Sequence, residues 1–229
     1  MRILKRKARE TSRDYALRVM TENIVSLELA PGSTVSENEL SVELGLSRTP
    51  VREALIELAK TNIVEILPQR GSRISLVNYD MVDESRFVRL IFEIAVAKIC
   101  CQTATPDDFL LLEDNIALQK RYANDDMHYE DFLKTDNDFH MLFFKIAKKQ
   151  QTYKLMNSMS LHFDRVRSMS IGIHDGNINV RNLENHIEIL NAIKANDEQL
   201  VEQLLTSHLS RYKNDEEAIR QKYPEYFKQ

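Results

Sequence analysis

Residues 36–60 of the chain read SENELSVELGLSRTPVREALIELAK, a segment with the signals of two short helices. Ser36, followed three residues later by a glutamate, is a capping-box pattern that predicts a short helix over 37–44. A glycine ends this helix, and Ser47 is a second N-cap before a helix over 48–60. Two helices joined by such a tight turn are typical of a helix-turn-helix.

The segments on either side complete a winged helix-turn-helix. The spacing of apolar residues predicts a first helix over 12–28, which ends before a Pro-Gly pair. Residues 63–67 and 73–77 have the pattern of two short strands around the turn sequence PQRG at 68–71. We therefore expect a DNA-binding domain over residues 1–77, with the second helix of the pair in the major groove.

The start of that second helix carries the candidate DNA contacts. Arg48 and Arg52 lie one helical turn apart, so both can face the groove, where an arginine bonds a guanine edge or grips a phosphate. The hydroxyls of Ser47 and Thr49 suit phosphates. Spacing alone leaves open the alternative that these arginines only solvate a helix face.

The turn between the two strands, which is the wing, adds two candidates. Arg70 is placed to enter the minor groove or to touch a phosphate. Gly71 lets the backbone approach the DNA closely, because it has no side chain.

The rest of the chain is predicted to be helical. Of 229 residues 43% are hydrophobic, and Gly and Pro number five each, which favours a mainly α chain of two domains. From Tyr79 onward no strand pattern occurs, and helical patterns cover 80–103, 106–123, 129–149, 151–170, 182–195 and 197–220. We expect an all-helical antiparallel bundle over residues 78–229.

Charge and cysteine content restrict the class of protein. The net charge of −4 argues by itself against nucleic acid, but residues 1–77 carry a net +2 and residues 78–229 a net −6. No apolar run approaches the roughly 18 residues of a membrane span, and no secretory signal is present. The adjacent Cys100 and Cys101 have nothing to pair with, so we expect a cytoplasmic protein that does not contact membranes.

Four residues of the helical part form a candidate metal site. Asp136 and His140 lie four apart on the apolar face of one predicted helix, where they are costly unless paired or bound to a metal. His186 and His208 each lie roughly 15–17 Å from the turn of a predicted hairpin, so they come to similar height on adjacent helices. One Asp and three His suit zinc, nickel or another borderline metal. Spacing alone favours the simpler alternative that the histidines are ordinary core or surface residues.

The first domain resembles the DNA-binding domain of the GntR family of bacterial regulators. The resemblance covers about residues 12–77 and is most specific at SRTPVREAL, residues 47–55. Asn62 stands where relatives usually have Gly after the recognition helix, and Asn38 stands where some carry a base-contacting Arg. The resemblance implies the winged helix-turn-helix fold, while the second departure bears on the operator sequence.

The second part resembles the FCD ligand-binding domain of the FadR-type subfamily, over about residues 80–213. The sequences DNDFH at 136–140 and NHIEILNAIKANDEQLVEQLLTSHL at 185–209 match its metal-binding motifs. The resemblance implies that a divalent metal, with zinc favoured and nickel or manganese open, is held by Asp136, His140, His186 and His208. Asn185 departs from the family, in which Glu usually precedes the second histidine.

The resemblance also implies a small carboxylate effector, bound by the metal and by arginines. Arg89 and Glu93 match an RxxxE motif of the first helix of the domain, and Arg89 and Arg165 are the candidate effector ligands. The alternative for each arginine is a salt bridge to a helical neighbour, such as Arg89 with Glu93.

The resulting prediction is a homodimeric, ligand-responsive regulator that binds a palindromic DNA operator and senses a small organic or sugar acid. One alternative keeps DNA binding and makes the metal purely structural. A metal-dependent enzyme is disfavoured, because the sequence offers no recognisable general base. The identity of the acid, the operator, the native metal and the sign of regulation stay open.

Overall fold

The computed structural model describes residues 1–123, 129–171, 173 and 177–228. Over these ranges the protein is mainly helical, which confirms the predicted fold class. The helices in chain order are α1 Ser12–Val25, α2 Glu37–Leu44, α3 Arg48–Lys60, α4 Tyr79–Thr103, α5 Pro106–Tyr122, α6 Tyr129–Ile146, α7 Gln150–Met159, α8 Leu161–Ile171, α9 Asn177–Lys194, α10 Glu198–Ser210 and α11 Tyr212–Lys222.

A small antiparallel sheet completes the N-terminal part. Its strands are β1 Thr34–Val35, β2 Val64–Leu67 and β3 Gly71–Ile74, in the order β1-β3-β2. The β2–β3 ribbon is the predicted wing. Strand β1 was not predicted, because two residues are too few for an alternating pattern to be recognised.

Local sequence signals explain the helix-turn-helix. The hydroxyl of Ser36 accepts a hydrogen bond from the backbone N–H of Glu39 at 3.0 Å and so caps α2. Gly45 ends α2 with a left-handed φ of 64°. Asn62 ends the turn after α3 with a φ of 58°, a conformation that asparagine tolerates better than most residues. These local contacts fix where α2 begins and where α2 and α3 end, so that only a short turn connects the two helices.

Two predicted helices are each divided in the structure. The continuous helix predicted over 151–170 is wrong, because the chain breaks at Ser160 into α7 and α8. The helix predicted over 197–220 is likewise divided at Arg211 into α10 and α11. Neither break contains Gly or Pro, so local propensity does not mark it, and tertiary packing decides where each helix ends.

The chain forms two compact units, and the division differs from a single cut after residue 77. The first unit contains Met1–Asp83 together with Ser158–Met169 and Glu217–Gln229, and the second contains Glu84–Asn157 and Ser170–Glu216. Most of α8 and half of α11 therefore pack with the winged helix-turn-helix, although they lie far along the chain.

Each unit has its own apolar core. In the first unit, α1, α2, α3 and the sheet bury residues that include Val19, Ile24, Val51, Leu55 and Ile63. In the second unit, α4, α6, α9 and α10 bury Val96, Ala97, Phe139, Phe143, Ile189 and Leu205. Within the described part of the chain, no helix is long and apolar enough to cross a membrane.

The C-terminal segment is anchored on the residues that follow the wing. The backbone N–H of Val77 donates to the carbonyl of Tyr226 at 2.7 Å. The guanidinium of Arg220 lies 4.7 Å from the ring centroid of Tyr79 and 4.9 Å from that of Phe227. Backbone pairing and aromatic stacking thus hold this segment within the first unit.

Candidate metal centre and DNA-binding surface

The start of α3 presents the predicted DNA contacts to solvent. Ser47, Arg48, Thr49 and Arg52 are all exposed. Ser47 occupies the N-cap position, but its side chain makes no cap hydrogen bond. The guanidinium of Arg52 is 69% exposed and lies 3.9 Å from Glu37, a weak contact that leaves it accessible. The surface is therefore polar, basic and suited to a groove lined by phosphates.

On the wing, Arg70 is exposed to solvent, whereas Gly71 packs closely against β1. Arg70 is exposed at the tip between β2 and β3. Gly71 has a φ of 87°, and a Cβ added there would lie 2.9 Å from the carbonyl oxygen of Val35. This glycine is thus required by the close approach of β1 to β3, a role the sequence did not indicate.

The second unit brings together the four residues predicted to bind metal. Asp136 and His140 come from α6, His186 from α9 and His208 from α10. One ligand atom of each lies within 4.8 Å of the others. Three of the four residues are buried, and His208 is partly buried.

The ligand atoms converge closely. Nε2 of His186 lies 3.3 Å from Nε2 of His208 and 3.7 Å from Oδ1 of Asp136. Nε2 of His140 lies 3.9 Å from Oδ2 of Asp136. Tetrahedral zinc with Zn–N bonds of about 2.0–2.1 Å separates its ligand atoms by roughly 3.3 Å, so these spacings are of the right size.

Buried amides fix the orientation of His186. Nε2 of Gln119 donates to Oδ1 of Asn115 at 2.7 Å, which leaves Oε1 of Gln119 as the acceptor toward Nδ1 of His186, also at 2.7 Å. The Nδ2 group of Asn115 in turn donates to the carbonyl of Thr135. With its proton on Nδ1, the His186 ring directs the lone pair of Nε2 toward His208.

A buried carboxylate, that of Glu93, fixes the orientation of the His140 ring. Oε2 of Glu93 lies 2.6 Å from Nδ1 of His140, and Oε1 of Glu93 accepts from Nε of Arg89 at 2.6 Å. Burial by itself would raise the pKa of Glu93, but the charges of Arg89 and His140 outweigh burial and lower the pKa to about 2. Glu93 is therefore an anion that holds the Nδ1 side of His140.

The cluster fits a divalent metal on its own geometry. Among the described residues, nothing hydrogen-bonds to Nε2 of His140, although that atom is buried. Burial lowers the pKa of His208 well below its ordinary value, and His186 and His140 lower it further, so the ring is neutral. A neutral imidazole, such as that of His208, and a carboxylate are ligand forms that a divalent metal requires.

The two arginines predicted to bind an effector lie in different units. Arg89 is buried in the second unit, where the salt bridge to Glu93, which was the alternative to an effector contact, is present. Arg165 belongs to the first unit, where NH1 donates to the carbonyl of Ser75 at 2.6 Å and NH2 lies 3.1 Å from Nδ1 of His162. Within the first unit, the partners of Arg165 are those of a packing residue.

Sequence reasoning missed the roles of Gln119 and His162. Nε2 of His162 lies 2.9 Å from the carbonyl of Thr61, the C-cap of α3. Gln119 had only a weak signal, its placement four residues after Asn115 on one helix face. His162 had none, because its partner lies 101 residues away in the chain.

A solvent-exposed recognition helix beside a wing, followed by a helical unit with a buried His and Asp cluster, defines a ligand-sensing transcription regulator. Comparison with known families agrees. Residues 17–74 match the gntR family of bacterial regulatory proteins, and residues 84–211 match the FCD domain. The chain belongs to the GntR family and carries an FCD domain, so it is a transcriptional regulator and not an enzyme.

Similar proteins support the assignment over nearly the full length. The HTH-type transcriptional repressor RspR of Escherichia coli K12 is 34% identical over 210 residues, 92% of this chain and 91% of that protein. A transcriptional regulator of Streptomyces ambofaciens is 32% identical over 219 residues, 96% of this chain and 90% of that protein.

Solved structures share the fold. E. coli McbR/YncC has a TM-score of 0.78 at 18% identity, covering 93% of this chain and 99% of that one. A GntR regulator of Rhodococcus sp. RHA1 has a TM-score of 0.69 at 21% identity, covering 90% of this chain and 96% of that one.

Proposed function

We propose that the protein is a homodimeric regulator that binds a short palindromic operator and responds to a small carboxylic acid at a metal-containing site. The observation that carries this proposal is the buried convergence of Asp136, His140, His186 and His208 within 4.8 Å of one another. DNA binding is supported by the exposed residues Ser47, Arg48, Thr49 and Arg52, with Arg70 at the wing. The two DNA-binding domains of a homodimer match two operator half-sites about one helical turn of DNA apart.

Three nitrogen donors and one oxygen donor favour zinc, with nickel or manganese as alternatives. When bound, the metal would supply a Lewis-acidic centre that attracts a carboxylate. The protein's own contribution is orientation, because Gln119 and Glu93 hold the Nδ1 atoms of His186 and His140. A metal that accepts five or six ligands has room for water or an acid beyond these four.

Arg89 is the residue we assign to the acid. It is buried in the same unit, and Glu93 connects it to His140, because Oε1 of Glu93 accepts from Arg89 and Oε2 lies 2.6 Å from Nδ1 of His140. A guanidinium forms charge-assisted hydrogen bonds with a carboxylate and selects its planar shape. Arg165 is not part of this proposal, because its guanidinium is engaged at Ser75 in the first unit.

The test measures metal content and acid binding in protein purified without chelator or affinity-column metal. Elemental analysis is expected to give about one divalent ion per chain. A thermal-shift screen of organic and sugar acids on the metal-loaded protein should then reveal a specific binder, which stabilises the native state by mass action. Folded protein that neither contains nor takes up metal would remove the metal site.

A structural metal is the second candidate, and the burial of Asp136 and His186, 1% and 0% exposed, favours it. In that case chelation unfolds the second unit, while no acid alters the melting temperature or operator affinity. The acid screen and the chelation experiment together separate the two functions.

A further inference from the structure

Helix α4 carries an apolar stripe that faces solvent. Phe87 is 56% exposed and Ile91 is 48% exposed, and Ala95 is exposed one turn further on. Glu84 and Lys98 lie at the two ends of the stripe. All five residues belong to the second unit, and we call them the α4 stripe. Two large apolar side chains one turn apart, with an alanine beside them and charged residues at both ends, fit a protein–protein contact better than a solvated helix face.

The spacing of the α4 stripe is symmetric about Ile91. From Glu84 to Lys98 the steps are three, four, four and three residues, so the stripe reads with the same spacing in both directions. Two copies of such a helix can pack antiparallel about a two-fold axis through Ile91. A two-fold interface requires this property, because the same surface must meet itself.

The side chains match in this antiparallel arrangement. Each Phe87 packs against Ala95 of the other copy, so that a large side chain lies opposite a small one. The two Ile91 side chains contact each other at the axis. Each Glu84 meets Lys98, an opposite-charge pair at both ends. Within one copy, Nζ of Lys98 also donates to Oε2 of Glu202 on α10 at 2.5 Å.

The exposed leucines of α5 do not have this self-complementarity. Leu110 and Leu118 also lie symmetrically on a helix face, and both are exposed. The centre of their stripe is Asp114, which is exposed as well. Antiparallel pairing there would place two carboxylates against each other on the axis, which is unfavourable.

We propose that the α4 stripe is the homodimer interface of the second unit, and that its occupant is α4 of a second copy of this chain in antiparallel orientation. The proposal deepens the proposed function, since it rests on the dimer that a palindromic operator requires. It commits to one axis, at Ile91, and to one set of paired residues.

The first experiment compares two matched substitutions by sedimentation over a range of protein concentrations. Ile91→Glu places two carboxylates on the axis and is expected to raise the dimer dissociation constant on the order of 100-fold or more. Leu118→Glu, at a comparably exposed position of α5, is expected to leave the constant unchanged. An Ile91→Glu protein that dimerises like the wild type, or loss of the dimer only in Leu118→Glu, overturns the proposal.

The second experiment tests the pairing itself. Ala95→Phe alone sets a second aromatic ring against Phe87 of the other copy and is expected to weaken the dimer. The double variant Phe87→Ala, Ala95→Phe exchanges the large and small positions and is expected to restore it. Failure of the double variant to recover, with circular dichroism showing a folded protein, contradicts the antiparallel register.

Failure of this interface and failure of the proposed function give different results. If Ile91→Glu remains a dimer and binds operator normally, the interface lies elsewhere and the proposed function stands. If the wild type is monomeric both alone and on operator DNA, the homodimer of the proposed function fails as well, and the α4 proposal fails with it.

Discussion

At the scale of single residues, Arg48 carries the sharpest prediction about DNA. It is exposed at the first position of α3, with Arg52 one turn further along. Substitution of Arg48 with Ala is expected to weaken operator binding by about 1–3 kcal/mol if the side chain contacts a base edge. Fluorescence anisotropy with operator DNA measures the effect. Lys60→Ala, at the far end of the same helix, is the control and should bind like the wild type.

Glu93 carries the corresponding prediction about the metal. Glu93→Gln removes the anion that lies 2.6 Å from Nδ1 of His140 and pairs with Arg89. Loss of such a supporting carboxylate is expected to reduce metal affinity about 10–100-fold. Competition with a metal-sensitive chelator gives the affinity, and circular dichroism checks folding.

The control is Glu113→Gln on α5, an exposed carboxylate that pairs with Lys194 and lies outside the metal cluster. Equal metal affinity in all three folded proteins would show that Glu93 does not position a ligand.

At the scale of elements, a neutral histidine of α8 contacts the DNA-binding domain, as Arg165 of the same helix does. Burial, together with the charge of Arg165, lowers the pKa of His162 to about 4. The neutral ring donates from Nε2 to the carbonyl of Thr61 and accepts at Nδ1 from Arg165. Protonation would place an N–H against a guanidinium and break this arrangement.

The pH dependence of stability follows from that pKa. Because the folded pKa lies below the unfolded value near 6.5, the unfolded state binds the proton first as the pH falls. The contribution of neutral His162 to the free energy of unfolding is complete above pH 6.5 and decreases toward pH 4. Between pH 7.5 and pH 5 it decreases by about 2 kcal/mol. Urea unfolding at both pH values measures it. His162→Gln should show a decrease smaller by that amount, and an identical decrease in both proteins would contradict the assignment.

At the scale of the whole molecule, the two units are linked by more than one stretch of chain. The chain passes from unit to unit at Asp83, Asn157, Met169 and Glu216. Most of α8 belongs to the first unit, but both of its neighbouring helices along the chain belong largely to the second. The DNA-binding unit and the unit with the candidate metal site are therefore joined covalently at four points along the chain.

Coupling between the acid and the operator is the prediction at this scale. An acid that binds the metal and Arg89 is expected to change operator affinity by about 1–3 kcal/mol, and operator DNA must change acid affinity by the same factor. Titrations with and without the acid measure it in the wild type and in His186→Ala, which removes one ligand. An equal effect in both proteins would separate the metal from the response.

The fold of the DNA-binding domain and the clustering of Asp136, His140, His186 and His208 were predictable from the sequence. The signals that specify this domain involve residues close together in the sequence, so they can be recognised without the structure. They include the cap at Ser36, the turn at Gly45 and the spacing of apolar residues. Asp136 and His140 share a helix face, and a hairpin sets His186 level with His208. Spacing alone still favoured ordinary core or surface histidines, and the resemblance to the FCD domain implied the full set of four.

Only the tertiary structure decided which unit α8 and the C-terminal segment join, and with them the partners of Arg165 and His162. Arg165 contacts Ser75 across 90 residues of chain, and no local signal specifies such a contact. The sequence pattern around an arginine on a helix face is the same whether the side chain binds a ligand or donates to a buried carbonyl. Its role depends on which surface that face packs against, and packing of distant segments is decided by the whole chain.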